Sequence, residues 1–136
     1  CGRWDVFVGV AAVSDFAPEQ PAEGKIPTER GELDVRLVPT PKILDGVRDL
    51  QPDCLVVGFK AEAVDSDDAL ISAGLKRMER ARADRMIANR ASAFESDHNE
   101  VFLLGSGAPL RVAGPKAALA AKMWDWIESA WDSSGS

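Results

Sequence analysis

The sequence predicts an α/β fold with a largely parallel sheet flanked by helices. Short apolar runs typical of buried strands, such as Val6–Val8 and Leu55–Phe59, alternate along the chain with amphipathic stretches of helical periodicity. Alternation of this kind is typical of sheets whose strands are joined by helices. We therefore expect a Rossmann-like arrangement, with an extended loop and an additional strand after the first strand.

The first half of the chain is predicted to contain two strands, a long loop and a helix. Residues 4–13 are expected to form the first strand, and residues 17–31, which are rich in proline and glycine, a loop. Apolar and charged residues alternate over 32–38, as in a half-exposed strand. Thr40 followed by Pro41 predicts the start of a helix, because proline at the first helical position loses no hydrogen bond.

The second half is predicted to continue the alternation of strands and helices. The expected elements are a strand over 55–59, a helix capped by Asp65 or Ser66, strands over 86–88, 101–104 and 110–113, and a last helix over 114–131. The sequence contains no internal repeat.

Composition limits the class of protein. A chain of 136 residues with 46% hydrophobic residues is long enough for one modest domain with a core. Its net charge of −6 argues against general nucleic-acid binding, and no apolar run is long enough to span a membrane. The amino end carries no secretory signal, and the two cysteines do not form a disulfide framework. We therefore expect a cytoplasmic protein.

The end of the first predicted strand has the features of a ligand crevice. Asp15 is expected where that strand ends, and the small residues Gly9, Val10 and Ala11 would let a ligand approach the backbone closely. The alternative is that Asp15 caps a turn or a helix, which aspartate does readily.

Two further segments could bind a ligand. Pro41, Lys42, Ile43 and Leu44 open a predicted helix, whose free N–H groups can donate to polar ligand atoms, although an ordinary capped helix explains them as well. Phe59, at the end of the next predicted strand, could stack on a base, although an aromatic residue there is more often part of the core.

Basic residues are concentrated in parts of an otherwise acidic chain. Lys25 lies in the predicted loop, where a lysine is usually a solvated charge. A second group, at and after the predicted middle helix, comprises Lys76, Arg77, Arg80, Arg82, Arg85 and Arg90. Cations near a helix end stabilise its dipole, which explains several of them.

Three conspicuous features are given no function. His98 has no cysteine or second histidine with which to form a metal site, and Gly105-Ser106-Gly107 is only a fragment of a dinucleotide-binding fingerprint. The tryptophans of the last helix are predicted to be packing residues, with service at an interface as the alternative for some; they are Trp124, Trp126 and Trp131.

Several of these motifs occur together in an order that resembles one known family. They are the segment from Gly9 to Phe16, Glu23-Gly24-Lys25-Ile26, Val38-Pro39-Thr40-Pro41, the segment from Val56 to Glu62, and Ile87-Ala88-Asn89. From about Asp5 to Ile127 the chain is similar to the carboxyl-terminal half of phosphopantothenoylcysteine synthetase (phosphopantothenate–cysteine ligase). The resemblance implies that residues 1–131 are the carboxyl-terminal part of a single synthetase domain. The residues Asp132-Ser133-Ser134-Gly135-Ser136 themselves predict a disordered tail over 132–136.

The resemblance implies an enzyme of coenzyme A biosynthesis that uses CTP, accompanied by Mg²⁺, to join 4′-phosphopantothenate to cysteine through an acyl-cytidylate. The site residues that it implies are Gly9, Val10, Ala11 and Asp15 on CTP, Lys25 in catalysis, the backbone of Pro41, Lys42, Ile43 and Leu44 on the cytosine, Phe59 in the nucleotide site, and Arg77 on the phosphates. Ala81 stands where relatives have a second phosphate-binding lysine, and Pro27 and Thr28 stand where they often have further lysines.

The resemblance also implies a homodimer formed through the region around residues 25–38. In many relatives the synthetase follows a decarboxylase that uses FMN, and an amino-terminal synthetase portion with further site residues is not in this chain. Two alternatives stay open: another nucleotide-binding α/β enzyme, such as a reductase, and a non-catalytic module with a degenerate site.

Overall fold

The computed structural model describes residues 3–91 and 97–134, without the side chains of Arg30 and of residues 132–134. Its strands are β1 (Val6–Gly9), β2 (Phe16–Pro18), β3 (Leu37–Pro39), β4 (Leu55–Glu62), β5 (Arg85–Arg90), β6 (His98–Leu104) and β7 (Leu110–Pro115). Its helices are α1 (Ile43–Leu50), α2 (Asp67–Ala81) and α3 (Lys116–Ser134), and Thr28–Arg30 forms one 3-10 turn.

The chain divides into two compact units. The first comprises Cys1–Val10 with Leu44–Ser136, and the second comprises Ala11–Ile43. The first contains a five-stranded sheet in the order β1-β4-β5-β6-β7, and the second contains the antiparallel pair of β2 and β3. The α/β fold is therefore confirmed.

The sheet of the first unit is mixed. β1, β4 and β5 are parallel, whereas β6 and β7 are added as antiparallel strands. The expectation of a largely parallel sheet therefore holds for three of its strands. The short turn from Gly105 to Pro109 explains the antiparallel pair, because a tight turn can join only antiparallel neighbours.

The core of the first unit lies on both faces of the sheet. On one face, Leu119, Ile127 and Ala130 of α3 pack against alternate strand residues such as Val57 and Ile87. On the other, Leu70 of α2 packs against Met86 and Ala88, and Val47 of α1 packs against Val56. Side chains alternate between the faces of a strand, so each strand supplies both layers.

Two predicted strands of the first half differ from the structure. The first strand covers Val6–Gly9 instead of 4–13, since its pairing with β4 ends where Gly9 meets Gly58. Of the predicted strand 32–38 only its last two residues are paired, because β3 is matched to a β2 of three residues. Alternation over the preceding residues therefore does not reflect a sheet.

The remaining elements differ from prediction mainly at their ends. α1 begins at Ile43, two residues after Pro41, and β4 continues beyond Phe59 to Glu62. Strands β5 and β6 are also longer than predicted, and α3 covers Lys116–Ser134 instead of 114–131. The cap of α2 is confirmed as Ser66, whose Oγ accepts a hydrogen bond from the Ala69 N–H at 3.1 Å.

Two of the three tryptophans of the last helix are exposed and lie outside the core. Trp124 and Trp131 are 51% and 41% exposed, whereas Trp126 packs against the core. Among the described residues, no helix is both long and apolar enough to cross a membrane.

Candidate functional site

Two glycines lie opposite each other where the pairing of β1 with β4 ends, at the carboxyl edge of the sheet. Gly9 and Gly58 are paired in register, and the first turn of α1 lies over both of them. A Cβ on Gly58 would lie 2.8 Å from Leu44 Cδ2 and 2.7 Å from Met86 Cε, and one on Gly9 would lie 3.3 Å from Leu44 Cδ1. These two glycines therefore set how closely α1 approaches the sheet.

Phe59 lies on the face of the sheet opposite to Leu44. It packs against the core layer that contains α3, while the neighbouring Gly58 faces α1 and α2. The expectation that Phe59 ends its strand was wrong, since β4 continues for three more residues to Glu62. The extra length comes from β5, which pairs with β4 as far as Arg90.

Arg77 links the middle of α2 to the start of α1. Its Nη1 donates to Asp45 Oδ1, and Arg80 Nε lies 3.4 Å from the other oxygen of the same carboxylate. Arg77 and Arg80 reach the same carboxylate because residues three apart share a helix face. Ala81 is fully buried and offers no polar group.

In the second unit, Asp15 is held within a small polar cluster. Its carboxylate accepts a hydrogen bond from Lys42 Nζ, and its carbonyl accepts one from the Thr40 N–H at 2.9 Å. It does not lie at the end of a parallel strand, since β1 stops at Gly9 and Asp15 immediately precedes β2. Pro41 also precedes the first helical residue.

Lys25 is exposed and has no ion-pair partner in the part of the chain that the structure describes. The adjacent Ile26 lines a hollow of about 370 Å³ within the second unit, which is also lined by Leu33, Val35 and Arg36. Ala11 and Ile43 are exposed residues of this unit, and Val10, of the first unit, is 60% exposed.

Sequence reasoning missed an ion pair at the end of β4. Lys60 Nζ lies 2.7 Å from Glu62 Oε1, with both side chains about one third exposed. The spacing of two residues on a strand could have revealed it, because such residues share a face. The strand was expected to end at Phe59, before both residues of the pair, and this concealed the pairing.

A second missed cluster joins α2 to three strands. Arg90 bonds to Asp67 and to Glu100, and Arg111 donates to Glu100 at 2.5 and 2.8 Å. Hydrogen bonding to Asp67 raises the pKa of Arg90 above its usual value, and hydrogen bonding to Glu100 does the same for the pKa of Arg111. This network holds the amino end of α2 on the sheet.

A third polar cluster, around Arg48, organises the opposite end of the sheet. Its guanidinium donates to the carbonyls of Pro52 and Cys54 at 2.8 Å and to Asp84 Oδ2 at 2.6 Å. Asp84 Oδ2 also accepts the Val56 N–H at 2.7 Å. These contacts fix the start of β4, and they are structural.

A cluster of three or more acidic, histidine or cysteine side chains that could hold a metal ion is not present among residues 3–91 and 97–134. His98 begins β6 and belongs to no such group within those residues.

Known proteins share both the sequence and the fold. The chain is 45% identical over 127 residues to the coenzyme A biosynthesis bifunctional protein CoaBC of Thermococcus kodakarensis, and 30% identical to that of Methanocaldococcus jannaschii. These matches cover 93% and 92% of this chain, but only 31% of each relative. The chain thus spans less than a third of the length of these curated relatives.

Solved structures share the fold at low sequence identity. A DNA/pantothenate metabolism flavoprotein of Streptococcus pneumoniae superposes with a TM-score of 0.73 at 22% identity, covering 93% of this chain and 61% of that one. A Cab2 mutant in complex with phosphopantothenate-cysteine gives a TM-score of 0.75 at 20% identity, covering 95% and 44%.

Family membership rests on nearly the whole length of the sequence. Residues 1–130 match the family described as the DNA/pantothenate metabolism flavoprotein C-terminal domain. The resemblance of the motifs between Gly9 and Asn89 is thereby confirmed at the level of the family. This chain belongs to the DNA/pantothenate metabolism flavoprotein C-terminal domain family.

Proposed function

We propose that this chain is the nucleotide-binding part of a phosphopantothenoylcysteine synthetase, which acts in the cytoplasm and joins 4′-phosphopantothenate to cysteine at the expense of CTP. The observation that carries the proposal is the 45% identity to a coenzyme A biosynthesis bifunctional protein over 93% of this chain. The likeness in fold to a protein that holds phosphopantothenate-cysteine supports it.

The reaction proceeds in two displacements. A carboxylate oxygen of 4′-phosphopantothenate attacks the α-phosphorus of CTP, the bond to the β-phosphate breaks, and pyrophosphate leaves. The amine of cysteine then attacks the acyl carbon, CMP leaves with the bonding electrons, and the nitrogen loses a proton. Activation is required because a free carboxylate is a poor electrophile. Catalysis of this kind depends on positioning and on charge stabilisation.

Lys25 is the proposed catalytic cation. Its ammonium is exposed and unpaired among the described residues, so no protein contact has to be broken before it meets an anion. An ammonium beside the α-phosphate would stabilise the negative charge that develops as pyrophosphate leaves. Arg77 would contribute a second positive charge, shared with Asp45.

The nucleotide is proposed to contact the residues that the motifs indicate. Asp15 would accept hydrogen bonds from the ribose hydroxyls or organise the metal–nucleotide complex, and the residues Gly9, Val10 and Ala11 would keep the backbone accessible. The backbone of Pro41, Lys42, Ile43 and Leu44 would recognise the cytosine, and Phe59, on the other face of β4, would line the nucleotide site at the edge of the sheet. Mg²⁺ would arrive on the triphosphate, which accords with the lack of a carboxylate cluster among the described residues.

The exposed apolar surface of the second unit supports a homodimer as part of the proposal. Ile26, Leu33, Val35 and Leu37 are each at least 40% exposed in a unit without a buried residue in its described part. Four exposed apolar side chains in one small unit are typical of a protein interface.

A non-catalytic nucleotide-binding module is the second candidate. It is favoured by the complete burial of Ala81 and by the engagement of Arg77 with Asp45, which leave fewer free cations for a triphosphate. The two candidates differ in turnover: the module would bind CTP and form no product.

The experiment uses the full-length protein and follows pyrophosphate release from CTP in the presence of 4′-phosphopantothenate and Mg²⁺. We expect release with CTP, formation of the amide after cysteine is added, and a loss of at least a hundredfold in pyrophosphate release in Lys25→Gln. Lys122→Gln, which removes an exposed charge from α3, serves as the matched control. CTP binding without pyrophosphate release would favour the module, and binding of NAD alone would favour a reductase.

A further inference from the structure

The carboxyl half of β4 extends beyond the end of its neighbour β1. The pairing of β1 with β4 ends at Gly9 and Gly58, whereas the pairing of β4 with β5 continues to Glu62 and Arg90. The last four residues of β4 therefore have a strand on one flank only among the described residues. Ligands of open α/β sheets bind at such carboxyl edges.

Alternation along β4 decides which side chains face α1 and α2 at this edge. Gly58 faces Leu44 of α1 and Met86, so Lys60 and Glu62 lie on the same face, two and four residues further along. Phe59 lies on the opposite face with α3. The first charged group that β4 presents beyond Gly58 on the face of Leu44 and Met86 is thus an ammonium, and not the aromatic ring.

The arginines on this side of the sheet are already engaged by carboxylates of the protein. Arg77 and Arg80 share Asp45, and the other pairs are Arg82 with Asp49, Arg48 with Asp84 and Arg90 with Asp67. Lys60 differs from them, because its one ion-pair partner in the described structure is Glu62, two residues away on the same strand. A local pair of this kind can open without separating any two elements.

We propose that Lys60 binds phosphate oxygens of a substrate, exchanging Glu62 for them when the substrate arrives. This inference rests on the proposed function and deepens it, since it names a specificity-determining residue at the same edge. Both CTP and 4′-phosphopantothenate carry phosphate. A partly desolvated ammonium binds a phosphate more strongly than it binds one carboxylate, because the phosphate carries more charge and more acceptor atoms.

The test compares Lys60→Met with Lys60→Arg and with Lys122→Met in the full-length protein. Lys122 is an exposed lysine on α3, on the opposite side of the sheet, and its replacement makes the same change in net charge. For each variant the KM for CTP, the KM for 4′-phosphopantothenate and the inhibition constant of inorganic tripolyphosphate are measured. Thermal unfolding is measured in parallel, to separate binding from folding.

We expect Lys60→Met to raise one of these two KM values about ten- to a hundredfold, as the loss of one charge-assisted contact implies. A rise for CTP together with weaker tripolyphosphate inhibition identifies the nucleotide as the phosphate source, and a rise for 4′-phosphopantothenate alone identifies the other substrate. Lys60→Arg should retain most of the affinity. Two unchanged KM values in Lys60→Met would overturn the inference.

Glu62→Gln keeps the inference testable if Lys60→Met does not fold. Removal of the competing carboxylate frees the ammonium, so the substrate phosphate and tripolyphosphate should bind more tightly. Unchanged or weaker binding in Glu62→Gln would show that the pair acts only in the structure of β4 and would overturn the proposal. An inactive wild-type protein, in contrast, would refute the proposed function, and Lys60 would then be tested by direct titration with tripolyphosphate: equal binding by the wild type and Lys60→Met would overturn the inference.

Discussion

Replacement of Gly58 by alanine should show how the packing of α1 against the sheet affects stability and CTP binding. The added Cβ would lie 2.7 Å from Met86 Cε and 2.8 Å from Leu44 Cδ2, both well inside van der Waals contact. The conformation of Gly58 is compatible with alanine, since its φ is not positive, so the effect is one of space alone. Met86 is fully buried and has little room to move.

The expected cost of Gly58→Ala is about 1–3 kcal/mol, the usual range for overpacking of a core. For a domain of this size that corresponds to a decrease of roughly 3–10 °C in Tm. Because Leu44 belongs to the segment proposed to recognise the base, we also expect the KM for CTP to rise. The assays are thermal unfolding by circular dichroism and steady-state kinetics at varied CTP.

Gly46→Ala is the matched control, because it makes the same substitution in the middle of α1, where an added Cβ meets no atom within 4 Å. It should stabilise the protein by about 0.5–1 kcal/mol through helix propensity. A double mutant of Gly58→Ala with Leu44→Ala then tests the contact itself. If the two single effects simply add, Leu44 is not what Gly58 accommodates and the reasoning is refuted.

Two further predictions concern the opposite end of the sheet. In a variant with Cys54 as its sole cysteine, the thiol should resist iodoacetamide at pH 8 until the protein unfolds, because burial raises the pKa of Cys54. The pKa of this thiol is therefore higher in the folded than in the unfolded state. Its contribution to stability is complete below the unfolded-state pKa and is lost as the pH rises through the folded-state pKa. Rapid alkylation of the folded protein would contradict this. Arg48→Met should lower the free energy of unfolding by about 2–4 kcal/mol in urea titrations, because three acceptors lose their common donor: the carbonyls of Pro52 and Cys54 and the carboxylate of Asp84. An unchanged urea midpoint would show that water replaces the guanidinium.

Local signals predicted the parts of the fold that depend on neighbouring residues. Ser66 was one of two candidate caps, with Asp65, before the two aspartates of the first helical turn, and the apolar runs of β4 and β5 identified the central strands. Strand ends were not predictable, because they are set by the partner. β4 continues to Glu62 only because β5 pairs with it that far, and the alternation at Leu33 and Val35 lacks a partner strand.

The candidate site was predictable only as a set of segments. The motifs identified Gly9, Leu44 and Arg77, and the structure brings the first two together. The engagement of Arg77 by Asp45 depends on how α1 and α2 pack, which the spacing of either helix does not contain. The assignment of Phe59 to the α3 face follows from alternation once Gly58 is known to face Leu44.

The second unit has a thermodynamic consequence for any titration of this protein. Between Ala11 and Ile43 none of the described residues is buried, so its folded form lacks the core burial that usually offsets a conformational entropy of about 1–2 kcal/mol per residue. Binding of a partner that covers this surface, whether a nucleotide or a second subunit, would then supply the missing burial. Calorimetry should accordingly record a negative heat-capacity change larger than a preformed pocket gives, and amide exchange in this unit should slow on binding.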